Sequence, residues 1–134
     1  MFTFCATIAI ATSAFATQPV RVGSKAFTES VILGELATQL ANNAGVPTIH
    51  RSQLGGTRVL WAALLAGQID IYPEYTGTII QELLPGTPPD PEAIEAELRR
   101  HGIGLTRPLG FNDTYALGVP QALASAVSIR TVSR

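Results

Sequence analysis

Cysteine is almost missing from this chain of 134 residues, which has Cys5 and no other. A lone cysteine excludes an internal disulfide and a thiolate metal cluster, and it lies in a leader expected to be removed, so a cysteine nucleophile drops out as well. Only four residues precede it, too few for the apolar stretch that lipid attachment needs. Charge is scarce too: 9 Lys+Arg stand against 10 Asp+Glu, net −1, with 14% of residues charged. Without a basic field there is nothing to hold a phosphate backbone, and no nucleic acid partner is expected. The two histidines, His50 and His101, have no Cys, His or carboxylate at metal-ligand spacing. No metal and no cofactor is therefore expected, since a usable zinc site needs three or four convergent ligands. Beyond the leader, no apolar run approaches the roughly 18 to 20 residues that span a bilayer.

What is present is apolar and small. Hydrophobic residues make up 46% of the chain, enough for the core of one domain. The first charged residue is Arg21, and Phe4 to Phe15 forms a short apolar stretch followed by Ala14-Phe15-Ala16, a small-x-small pattern. Residues 1–16 read as a signal peptide cleaved after about Ala16, so the remainder, 17–134, is expected to be exported. The other reading of this stretch is a buried N-terminal helix.

Val20-Arg21-Val22-Gly23 reads as a strand, and Thr28 starts a helix with Phe27 and Ile32 placed as a hydrophobic staple. Ile32, Leu33, Leu36, Leu40 and Ala44 recur at three and four, which predicts one buried face, and Gly45 with Pro47 stops the helix. A second strand is expected over Thr48 to Leu54 and a second helix over Arg58 to Ala66, where Leu60, Leu64 and Leu65 form the stripe. Ile69-Asp70-Ile71-Tyr72 alternates as a third strand, and Ile79 to Leu84 continues an apolar helical stretch. After a Pro-rich loop, Asp90-Pro91-Glu92 opens another helix with a cap, a first-turn proline and a favourable acid. A last strand is expected over Thr114 to Val119, then a short helix from Gln121 to Ala126. This alternation predicts an α/β fold with a mainly parallel sheet flanked by helices.

In such sheets ligands bind beyond the carboxyl ends of the strands. That rule singles out Ser24-Lys25, Gly55-Gly56-Thr57, Pro73 to Thr78 and the loop before Tyr115. Lys25 lies just before a helix amino end, where a carboxylate is favoured; the plainer alternative is a surface lysine. Tyr72, Tyr75 and Tyr115 are the only tyrosines, and each falls at or beside a strand end. A quaternary ammonium has no N–H to donate, so aromatic faces must hold it, although half-buried packing would also explain these rings. Glu74 and Glu82 read as structural or solvated, and Trp61 as core. A Ser24-Lys25 catalytic pair is disfavoured because neighbours on a strand point to opposite faces.

Five ordered motifs carry a resemblance over Val20 to about Val119. They are Val22 to Glu29 (VGSKAFTE), Leu54 to Thr57 (LGGT), Gly67 to Asp70 (GQID), Tyr72 to Thr78 (YPEYTGT) and Gly110 to Leu117 (GFNDTYAL). Together they resemble the substrate-binding proteins of glycine betaine, choline and carnitine ABC transporters, the osmoprotectant branch with the type II periplasmic-binding fold. The resemblance implies periplasmic binding without catalysis and delivery of a quaternary-ammonium ligand to a membrane permease. It also implies roles: Lys25 and Thr78 at the ligand's carboxylate, Tyr75 and Tyr115 in an aromatic cage, Asp113 near the ammonium. Family members have a second lobe of similar size that closes on the first. The chain is thus read as the first lobe, with the second missing or separately encoded. Two other readings stand beside it: a truncated remnant that binds nothing, and a small hydrolase built on Ser24 or the Glu74 region.

Overall fold

The computed structural model describes residues 18–112 and 118–126. The expected alternation is present: strand β1 (Val20–Gly23), helix α1 (Thr28–Asn43), strand β2 (Thr48–Arg51), helix α2 (Thr57–Leu65), a short helix α3 (Thr76–Thr78), helix α4 (Pro91–Arg100) and helix α5 (Gln121–Ala126). β1 and β2 pair in parallel, Val20 opposite Thr48 through Gly23 opposite Arg51. On the other edge of β1, Val22 bridges Ile71 in parallel, and the Gly23 N–H donates to the Ile71 carbonyl at 2.8 Å. The third strand expected over Ile69 to Tyr72 is therefore reduced to this bridge. It is reinforced by Arg21, whose guanidinium forks onto Asp70 at 2.8 and 2.9 Å. The strand expected over Thr114 to Val119 lies mostly outside the described residues.

The core is built by α2, the Ile69–Tyr72 segment, the stretch after α3 and α4. Leu60, Ala63 and Ile69 form one buried cluster, against which Leu64 and Tyr72 pack. Ile79, Leu84, Ile94 and Leu98 form a second, flanked by Trp61, Ile80, Leu83 and Ile103. α3 widens at Ile79–Leu83 into a single π-helical turn, in which the Leu84 N–H reaches the Ile79 carbonyl. Such one-turn bulges recur next to functional sites. α4 begins as expected: the Asp90 carboxylate accepts from the Ala93 N–H at 2.9 Å, with Pro91 in the first turn.

α1 is where the apolar periodicity misleads. Ile32, Leu36 and Leu40 are 54%, 51% and 69% exposed, whereas the buried residues of this helix are Ser30, Gly34 and Thr38. The apolar stripe predicted to face the core points outward, and Phe27 of the expected staple is exposed as well. The physical reason is close approach: a Cβ on Gly34 would lie 2.5 Å from Nε2 of His50 and 3.1 Å from Cβ of Ser24. Small residues let the helix backbone settle onto the strands, and the larger side chains are turned away.

Gly34→Ala is expected to displace His50 and destabilise the fold by about 1–3 kcal/mol, as overpacking does, read as a lowered thermal midpoint by circular dichroism. An unchanged midpoint would contradict this packing. Asp90→Ala should cost about 1 kcal/mol, the usual worth of an N-cap, in the same measurement.

Candidate functional site

Three segments converge beyond the carboxyl ends of the parallel strands. The turn between β1 and α1 is laid over the β2–α2 loop: the Ser24 N–H donates to the Arg51 carbonyl, Leu54 N–H to Ser24 and Ala26 N–H to Gly55. Gly55 has φ +135°, a conformation that side chains rarely adopt, so glycine in the Gly-Gly-Thr motif serves the turn. Ser30, buried in the first turn of α1, accepts the Lys25 N–H at 2.9 Å. The third segment, from Ile71 to Tyr75, is drawn in by the bridge to β1.

Lys25 is not a surface lysine. Its ammonium lies 2.6 Å from Oε1 of Glu74, and both side chains are 6% exposed. The same Oε1 accepts the Tyr75 N–H at 2.9 Å, while Oε2 of Glu74 is buried with no hydrogen-bond partner among the described residues. Burial pushes the Glu74 carboxyl above its ordinary range; Lys25 opposes that shift and nearby Glu82 adds to it. Position alone suggested a ligand carboxylate beside Lys25, and the structure puts one of the chain's own carboxylates there.

Tyr75 caps the amino end of α3 with extended backbone. Its ring meets Phe111 edge-on, centroids 6.3 Å apart at 84°, and its hydroxyl is buried without a partner among the described residues. Thr78 closes the same short helix and is half-buried. Asp113 and Tyr115 lie outside the described residues. Tyr72, by contrast, packs against the Leu60 cluster, and its hydroxyl is held protonated well above the usual range, mainly by burial and then by Glu74.

A cavity of about 410 Å³ opens beside Glu74, its wall including Trp61, Leu64, Tyr72, Leu83 and His101. Glu74 is shared between this cavity and the Lys25–Tyr75 cluster, whereas Lys25, Tyr75 and Thr78 do not line it. Trp61 is half-buried, edge-on to His101 at 5.6 Å, and packs against the Ile79 cluster.

Sequence reasoning passed over a second polar line. Nε2 of His50 lies 2.9 Å from Oγ of Ser24, and Nδ1 lies 3.1 Å from a carboxylate oxygen of Glu35. Gln39 first, and then His50, hold the Glu35 carboxyl below its ordinary range. Serine, histidine and glutamate at these distances have the form of a nucleophile, its base and an orienting acid. Ser24, however, is fully buried, and its Oγ also accepts the Gln53 N–H at 3.3 Å. A substrate carbonyl has no approach to it, and the line instead ties α1, β1 and β2 together. The signal for it was the glycine at 34, opposite a histidine on β2.

Comparison with known proteins agrees with this architecture. The apo structure of YehZ from Escherichia coli aligns with a TM-score of 0.55 at 35% identity, over 63% of this chain and 33% of that one. The glycine betaine-binding protein YehZ of Escherichia coli is 50% identical over 62 residues, 46% of this chain and 20% of the relative. A glycine-betaine-binding protein of Pseudomonas aeruginosa is 33% identical over 126 residues, 87% of this chain and 39% of the relative. The ergothioneine transport permease/ergothioneine binding protein EgtU of Helicobacter pylori is 36% identical over 124 residues, 87% of this chain and 22% of that protein. The chain thus spans between 20% and 39% of the length of these curated relatives. Residues 18–133 match the family described as the substrate-binding domain of the ABC-type glycine betaine transport system. With that match covering most of the chain and an α/β unit of parallel strands and flanking helices that aligns with YehZ, the chain belongs to this family.

Proposed function

We propose that residues 17–134 form the first lobe of an exported binding protein that captures a quaternary-ammonium solute, glycine betaine, choline or a similar compound, and hands it to a membrane permease of an ABC transporter. The observation that carries this reading is Tyr75: a ring at a strand end, squared against Phe111, with a buried hydroxyl that has no partner among the described residues. An aromatic face attracts a methylated ammonium that hydrogen bonds cannot satisfy. Lys25 and Thr78 are the proposed partners of a ligand carboxylate, Tyr115 a second ring and Asp113 a source of negative potential. The relatives' ligands support this chemistry, because glycine betaine and ergothioneine both join a trimethylammonium group to a carboxylate. Residues 1–16 are proposed to act as a cleaved leader, and among the described residues no helix is long and apolar enough to cross a membrane. Binding without chemical change is part of the proposal: Ser24, which lies beside His50, is fully buried among the described residues.

Isothermal titration of the chain with glycine betaine and choline should give saturable heat. Tyr75→Ala should weaken the ammonium contact by about 1–2 kcal/mol, roughly tenfold in affinity, with the circular dichroism spectrum unchanged. No saturable heat from either solute would support the remnant reading instead, and equal affinity of Tyr75→Ala and wild type would remove Tyr75 from the site.

A further inference from the structure

We propose that Glu74 sets the charge preference of this site: by neutralising Lys25 it makes a ligand carboxylate compete for the ammonium, and it leaves a quaternary cation without a carboxylate unopposed. The inference rests on the ligand-binding reading and adds to it a specificity-determining residue. Its geometric basis is the position of one carboxylate between two proposed ligand contacts. Oε1 of Glu74 lies 2.6 Å from the Lys25 ammonium and 2.9 Å from the Tyr75 N–H, and both charged side chains are nearly sealed from water. An ammonium has three N–H donors, so Lys25 can engage a ligand carboxylate only in company with Glu74 or by displacing it.

Without Glu74 the same lysine would put an uncompensated positive charge beside the ring meant to receive a cation. Over a few ångströms in a partly buried setting, one unit charge changes affinity on the order of tenfold or more. Glu74 therefore lowers the penalty on a bare cation and raises it on a zwitterion. The ionisable groups around it are Lys25 from the β1–α1 turn, Tyr72 from its own segment and Glu82 from the π-helical turn, with His101 at the end of α4 on the wall of the shared cavity.

The test compares affinities for glycine betaine and choline in wild type and Glu74→Gln by calorimetry. The amide keeps an oxygen for the Tyr75 N–H and removes the charge, so the betaine-to-choline affinity ratio should rise about tenfold or more. A ratio unchanged within about twofold, with both solutes still binding, overturns the inference and leaves the binding reading intact. If neither solute binds the wild type, both fall together. Should Glu74→Gln not stay folded, Glu74→Asp takes its place: the shorter side chain draws the carboxylate back from the Lys25 ammonium it meets at 2.6 Å, so the betaine-to-choline ratio should again rise, and an unchanged ratio overturns the inference.

Discussion

Two opposite charges enclosed together govern how this fold presents its open edge. Removing an ammonium and a carboxylate from water costs several kcal/mol per ion, and only close contact with further hydrogen bonds offsets that cost. Lys25 and Glu74 meet at 2.6 Å, and the Tyr75 N–H gives the same carboxylate oxygen a second donor. The pair fastens the segment leading into α3 onto the turn that leaves β1. From that fastening follow the place of Tyr75 and the start of the short helix that carries Thr78. Losing one partner alone would leave a buried charge unmatched, which is far more costly than losing both.

A second constraint lies on the other side of β1. There the helix is held by nearness and not by bulk: Gly34 leaves room for the His50 ring, and His50 links Ser24 to Glu35. Ser30 adds a hydrogen bond from α1 to the backbone of Lys25. The small-residue face of α1 thus supports the turn whose lysine meets Glu74. Packing of the helix and the setting of the site are one arrangement seen from two sides.

How much of this could be read from residues alone depends on how local each signal is. α4 was fully legible, since Asp90, Pro91 and the acid-to-base order along the helix act within a few residues. The limits of α1 were legible from Gly45 and Pro47, with Gly45 at φ +83°, but its inward face was not. Hydrophobic periodicity assumes that large apolar groups find the core, and here Ser30, Gly34 and Thr38 do so instead. Lys25 and Tyr75 were singled out by their places after expected strands, and the structure brings both to the Glu74 carboxylate. Glu74, read only as structural or solvated, joins them from 49 positions away from Lys25, a distance at which pattern has nothing to say about pairing. Asp113 and Tyr115 lie outside the described residues, so their part rests on motif likeness.

The most direct test of the buried pair is a double-mutant cycle in urea unfolding, using Lys25→Met, Glu74→Gln and the two together. The account predicts that each single change costs about 3–5 kcal/mol and the double far less than their sum. Single changes that add to the double within about 0.5 kcal/mol would show that the two side chains do not depend on each other, and the account of the site would fail with them.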